Sequence, residues 1–248
     1  MMLNFMVAPD YLPQHFGAWF LLNNYVQQQT GLAIRLHVPN DHDEQQALLP
    51  STPELVYVNP FDASTMMHQY GYRPLAKPAG KFDEMVVACR YDAPYLTLHD
   101  VHANCRVAFS DNEDVHLIGM RLLEGFGLGE HNTQAVKESS QAAVLSALYH
   151  GRADIGFLLN DVFNHLSSFS HHHFRSLLGS QIHDIYHLLL IHPKAEQHKE
   201  ALCSCLTEMN QNTAGQEILA ELGMPDGFAP VSQEEVEFMI DLMETLKD

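Results

Sequence analysis

The chain has 248 residues, enough for one large domain or for two lobes that each bury a core, and its 46% apolar and 18% charged residues are those of an ordinary globular protein. Thirteen Lys and Arg against 31 Asp and Glu leave a net charge of −18, a field that repels nucleic acid and anionic membrane and argues against either as a partner. No stretch of the sequence reaches the roughly 18 uninterrupted apolar residues of a membrane span, and any anion the protein binds must be held by local dipoles against the overall charge.

In chain order, Leu3 to Ala8 is a short apolar run ended by Pro9-Asp10-Tyr11-Leu12-Pro13, which predicts a buried strand and its loop. His15 to Gln29 carries Phe16, Trp19, Phe20 and the pair Tyr25 and Val26 on one side, a helix that Gly31 stops. Ile34 to Val38 is the next strand, so the opening is a βαβ unit. Asp41 to Leu49 predicts a short helix and Glu54 to Val58 a third strand, with Tyr57 and Asn59 at its C-terminal end. Ligands of open parallel sheets bind beyond the carboxyl ends of the strands, so Pro9 to Tyr11 and Tyr57 to Phe61 are expected to share one wall of a cleft.

Gly71 to Ser110 organises the rest: a turn, the strand-like run Met85 to Arg90, a polar linker, and the apolar run Arg106 to Phe109 that stops at a helix-capping serine. It reads as a chain leaving one α/β lobe and starting another. Ser110-Asp111-Asn112-Glu113 has the spacing of a capping box, and Val115, Ile118, Leu122 and Phe126 continue at helical spacing to the break at Gly125-x-Gly127. Thr133 to Lys137 predicts a strand, Ser140 the cap of a helix to about His150, and Asp154 to Leu159 an apolar strand. Ile185 to Ile191, ending at His192-Pro193, is the return crossing. Helices follow over Glu196 to Asn210, Thr213 to Leu222 and Glu234 to Leu246, the last with a capping box at Ser232-x-x-Glu235. The lobes are expected at 1–88 with 187–248, and at 89–186. Cys203 and Cys205 are too close for a common bridge and Cys89 lies in a buried strand, so free thiols are expected, which favours the cytosol.

Tyr57-x-Asn59-Pro60-x-Asp62-Ala63, Gly71-Tyr72-Arg73-Pro74-Leu75, Leu98-x-Asp100-Val101, Arg106-Val107-Ala108-Phe109-Ser110 and Gly151-Arg152-Ala153-Asp154-Ile155-Gly156 together resemble the phosphonate/phosphite-binding (PhnD-like) branch of the periplasmic solute-binding proteins. In order and spacing the resemblance covers most of residues 3 to 195. It implies an α/β protein of the type II periplasmic-binding kind: two lobes, each a mostly parallel sheet flanked by helices, joined by two crossing strands and closing on a small polar solute by population shift. It implies no cofactor and, as partner, an ABC-transporter permease or, for a cytosolic sensor, a signalling protein. Such proteins are exported behind a signal peptide, whereas Leu3 to Ala8 already reads as the first strand. As it stands the chain is expected in the cytoplasm, or in the periplasm if a leader has been cut off.

The family holds its ligand's oxyanion at a helix N-terminus inside a Ser/Thr-Gly-rich loop, where backbone N–H groups and the helix dipole attract it. Ser110, Asp111, Asn112 and Glu113 occupy the matching place, followed by Asp114, so acids replace the family's small hydroxyl residues. A capping box folds Glu113 back to where a phosphonate would sit. Two anions about 4 Å apart repel by roughly 4 kcal/mol at an effective dielectric near 20, about a thousandfold in affinity. The plainer alternative is a stable helix start with solvated acids. Where the family has a ligand-contacting His and an acid, this chain has Ser139 and Ser140, the second a cap and the first a possible donor. The family's aromatic contact near the crossing strand appears as Phe82, which cannot donate. Tyr11, Tyr57, Asn59, Asn160 and Asp161 complete the ligand set, and an acidic, aromatic cleft suits a cationic or zwitterionic solute better than a dianion.

Seventeen histidines invite a metal reading, but His171, His172 and His173 are consecutive and point in different directions, and His165, His183 and His187 have no fixed spacing to them, so no metal site is expected. Gly-x-Ser-x-Gly, a P-loop and Gly-x-Gly-x-x-Gly are missing from the sequence, so it predicts a binding protein; a cytosolic ligand sensor and an enzyme on the same scaffold are the alternatives.

Overall fold

The computed structural model describes residues 2–11 and 13–246. The chain divides into two compact units, one formed by Met1–Phe82 with Tyr186–Met243 and the other by Asp83–Ile185 with Glu244–Asp248. The first stretch holds β1 (Met2–Val7), α1 (Phe16–Thr30), β2 (Ala33–His37), α2 (His42–Leu48), β3 (Leu55–Val58), α3 (Pro60–Tyr70) and β4 (Arg73–Pro78). The second unit holds β5 (Met85–Arg90), β6 (Arg106–Phe109), α4 (Glu113–Glu124), β7 (Gln134–Lys137), α5 (Gln141–Tyr149), β8 (Ile155–Leu159), α6 (Asn160–Asn164), α7 (Ser168–His171) and β9 (Phe174–Gly179). The return to the first unit supplies β10 (Leu188–Ile191), α8 (Lys199–Thr207), α9 (Thr213–Glu221), β11 (Phe228–Ala229) and α10 (Gln233–Thr245).

Each unit is built on one sheet, ordered β11-β4-β10-β3-β1-β2 in the first and β7-β6-β8-β5-β9 in the second. The orders β2-β1-β3-β10-β4 and β7-β6-β8-β5-β9 are the same plan. A first strand lies between two parallel neighbours, and an antiparallel strand fills the fourth place. That antiparallel strand, β10 or β5, is the first that the chain forms after entering the unit.

The first unit's core follows the two-residue period of its strands. Leu3, Phe5 and Val7, Leu55 and Tyr57, and Leu189 and Ile191 face one side, where α1, α8 and α9 add Trp19, Leu22, Leu202 and Leu219. Met6, Val56, Val58, Leu188 and Leu190 face the other, covered by Ala63 and Met66 of α3 and Val236 and Met239 of α10. In the second unit α5 lays Val144, Ala147 and Leu148 over Val86, Ala88, Ala108 and Leu158, while α4 packs on β5 and β8.

Gly31 ends α1 in the left-handed region at φ 69°, its N–H donating to the Gln27 carbonyl. The buried face of α1 is Ala18, Trp19, Leu22, Asn23, Tyr25 and Val26, and Phe16 and Phe20, expected beside Trp19, stay half exposed. The expected lobe boundary at 88/89 cuts through β5, whereas the contacts of β5 with β8 and β9 put all of it in the second unit. The chain also crosses a third time, at Met243 near the end of α10. All four cysteines are free thiols, and burial pushes those of Cys89, Cys105 and Cys205 up to about 11, out of the reactive range.

Asp154, just before β8, binds Arg106 at the start of β6. Its Oδ2 accepts from the Arg106 backbone N–H at 2.7 Å and from Nε at 3.1 Å, and its Oδ1 accepts from Nη2 at 2.7 Å. The Arg106 guanidinium holds the Asp154 carboxyl below its usual pKa. A depressed carboxyl stabilises the fold above its ordinary pKa, and that contribution is lost as pH falls through the folded-state value. Asp154→Asn is therefore expected to lower stability by about 1 to 2 kcal/mol at neutral pH, a difference that urea denaturation should find shrinking once the pH is below about 4.

Candidate functional site

In the first unit the ends of β1 and β3 are tied by the Ala8 N–H, which donates to the Tyr57 carbonyl at 2.8 Å. Asn59 follows β3 as the N-cap of α3, its Oδ1 accepting from the Asp62 N–H at 2.9 Å. That bond fixes the amide orientation, so Nδ2 donates to Asp10 Oδ2 at 2.9 Å. His187 Nε2 lies 3.6 Å from the same Asp10 oxygen, and both side chains are mostly buried. The His187 ring stacks on Tyr57, with centroids 5.2 Å apart, and Tyr57 also packs on Trp19 at 4.7 Å. Tyr11 meets Trp19 at 6.2 Å, and burial raises its hydroxyl pKa. From α2, Gln45 donates through Nε2 to Asp62 Oδ2 at 2.5 Å, so Asn59 is braced from behind.

Burial works to raise the Asp10 carboxyl, but the charge of the nearby His187, with help from the Asn59 amide and the charge of His42, outweighs it and holds its pKa below the ordinary value. The result is an ionised carboxylate in an aromatic setting. Tyr11, Tyr57 and Asn59 are thus brought together with Asp10 and His187. Phe82 is 37% exposed, the last residue of the unit's first stretch.

In the second unit β6, β7 and β8 run parallel and side by side, so the residues that follow them line one edge of the sheet. Ser110 is buried after β6, but the capping box expected there does not form. The N-cap of α4 is Asn112, whose Oδ1 accepts from the Val115 N–H at 3.0 Å. This later start buries Val115, Ile118, Gly119 and Leu123 on one face. It makes Glu113 an exposed first helical residue and Asp114 a second one only 2% exposed, so Glu113 does not fold back over the helix start. Asp111 is exposed and ion-paired at 2.6 Å with Lys137, the last residue of β7.

Ser140 caps α5, its Oγ accepting from the Ala143 N–H at 3.2 Å, and Ser139 before it is exposed. Gln141 Oε1 accepts from the Leu159 N–H at 2.8 Å and so secures the end of β8. Asn160 and Asp161, half-buried, open α6 directly beyond it, with the Asn160 N–H donating to the Glu84 carbonyl at 2.7 Å.

Asp10, His187 and Gln141 escaped the sequence reading as ligand-site residues. Asp10 stood in the wall segment Pro9 to Tyr11 without being singled out, and His187 is the one histidine within the apolar run Ile185 to Ile191, a signal that could have marked it. Among the described residues no group of three or more His, Cys, Asp or Glu is placed to hold a metal ion, and no helix is long and apolar enough to cross a membrane.

A family model described as the phosphonate ABC transporter, periplasmic substrate-binding protein, matches residues 5–236. No curated protein gives a significant match. Among solved structures, PhnD1 from Prochlorococcus marinus in complex with methylphosphonate is similar over 99% of this chain and 98% of its own, at a TM-score of 0.83 and 13% identity. A binding-protein component of an ABC phosphonate transporter from Pseudomonas aeruginosa is similar over 100% of this chain and 89% of its own, at 0.76 and 12%. The alkanesulfonate-binding protein SsuA from Xanthomonas axonopodis pv. citri, bound to MOPS, is similar over 99% and 93%, at 0.70 and 13%. At these identities the likeness is one of fold, and the fold is the two-lobed type II periplasmic-binding-protein architecture.

Proposed function

We propose that this protein, which belongs to the family of periplasmic substrate-binding proteins of phosphonate ABC transporters, binds a small polar solute carrying a positive charge, an ammonium compound or a zwitterion, in preference to a phosphonate dianion. Proteins of this family are binding components, and their partners are a small solute and a transporter permease. The solute acts by population shift, binding one conformation better than another. We infer the family's periplasmic compartment for this chain, in place of the cytoplasm suggested by its sequence. Fractionation of cells expressing the full gene tests that.

The observation that carries the choice of solute is the first turn of α4. After the Asn112 cap come Glu113 and Asp114, so the protein's own carboxylates take the positive end of the helix dipole at the place where the family resemblance puts an oxyanion. The ionised Asp10 beside Tyr11 and Tyr57 supports the same reading.

A thermal-shift panel of ammonium compounds, amino acids, aminoalkylphosphonates, methylphosphonate and phosphate tests it, since a ligand at about 100 times its dissociation constant adds about 2.7 kcal/mol of stability. Stabilisation by members bearing an ammonium group, and little by methylphosphonate or phosphate, is the expected pattern. Methylphosphonate as the strongest stabiliser overturns the choice of solute.

A further inference from the structure

We propose that solute binding in the first lobe expels a proton: the ammonium group of the solute replaces the imidazolium of His187 as partner of the Asp10 carboxylate. The inference rests on the proposed function, since it needs a cationic solute.

Asp10 Oδ2 already accepts from the Asn59 amide at 2.9 Å and has His187 Nε2 at 3.6 Å. His187 stacks on Tyr57, and the Asn59 amide is braced through Asp62 and Gln45, so neither neighbour of the carboxylate is a loose surface group. Ionisable groups approach the pair from several elements. Tyr11 follows Asp10 in its own loop, Tyr57 lies on the His187 ring from β3, the Asp62 carboxylate on α3 accepts from Gln45 and Gln46 while its backbone N–H donates to Asn59, and the charge of His42 on α2 acts on Asp10. Two cations about 4 Å apart in this setting repel by roughly 4 kcal/mol at an effective dielectric near 20. The arriving ammonium group therefore makes His187 give up its proton to solvent. Asp10 remains a carboxylate throughout, one positive charge enters, one leaves as the released proton, and no covalent bond to the solute changes.

The sign of the pH dependence follows. Where His187 is protonated in the free protein, a cationic solute competes with the proton, and affinity rises with pH by up to about tenfold per unit until His187 is neutral. A permanent anion seated on the imidazolium gives the opposite slope and takes a proton up.

Isothermal titration of the full chain with ethanolamine, whose charge is constant between about pH 5 and 8, in two buffers of different ionisation enthalpy, counts the protons exchanged. The expected result is release approaching one proton per ethanolamine near about pH 6, with affinity rising with pH. His187→Gln should abolish both the release and the slope, and Asp10→Asn should lose ethanolamine binding while a thermal melt confirms that it folds. Ethanolamine binding with the same heat in both buffers overturns this inference and leaves the proposed function standing. Proton uptake with methanesulfonate, in a protein that no ammonium compound in the panel stabilises, overturns both.

Discussion

Gly119→Ala is expected to destabilise the protein by about 1 to 3 kcal/mol, the range for overfilling a packed core, and to lower the melting temperature by several degrees. Gly119 sits in the middle of α4, and a Cβ built on it would stand 2.5 Å from Cδ2 and 2.6 Å from Cγ of Phe157 on β8. Phe157 is fully buried and cannot swing away, so the helix must lift from the sheet or the ring must leave its rotamer. Because Asn112 and the Ser110 to Asp114 loop are continuous with α4, the same displacement is expected to weaken solute binding. Pairing Gly119→Ala with Phe157→Leu should recover part of the loss, and the double-mutant cycle should show strong coupling. A single variant with wild-type stability in urea would mean that α4 does not approach β8 this closely.

The double variant Glu113→Gln and Asp114→Asn is expected to raise affinity for methylphosphonate by about tenfold or more, because two negative charges leave the first turn of α4. Both substitutions keep side-chain size and leave the Asn112 cap and the Asp111 to Lys137 ion pair in place. They remove two carboxylates from the first turn of α4, where each stabilises the helix by about 0.3 to 1 kcal/mol, so the gain should come with a small loss of stability. Unchanged methylphosphonate binding in a folded double variant would show that these acids do not set the solute preference.

Much of the fold was legible because local chemistry and burial agreed. The apolar runs at Leu3 and Glu54 became β1 and β3, Gly31 stopped α1 as a left-handed residue, and Ser140 capped α5 as its offset predicted. Ser232 and Glu235 form the reciprocal capping box read at the start of α10.

The departures have physical reasons. At the start of α4, Ser110-x-x-Glu113 and Asn112-x-x-Val115 are competing cap registers, and only the second puts Val115 on the buried face. The helix α3 has an Asn cap, Pro at its first position and Gly71 at its end, a complete set of local signals, but they lay inside two motifs read for their family resemblance. The strand β4 contains Pro74, which argues against a central strand, and the sheet accepts it at a register shift between Leu189 and Leu190 of β10. The joining of Asp10 to His187 was not legible at all, since it depends on the chain's return through the second unit to place β10 beside β3.

The proposed solute preference requires the protein to select for positive charge. Isothermal titration of the unmodified chain with ethanolamine and with methylphosphonate, side by side at neutral pH, tests it most directly. The predicted result is saturable binding of ethanolamine and at least tenfold weaker binding of methylphosphonate, a margin of about 1.4 kcal/mol. Tight methylphosphonate binding with no heat from ethanolamine would contradict it.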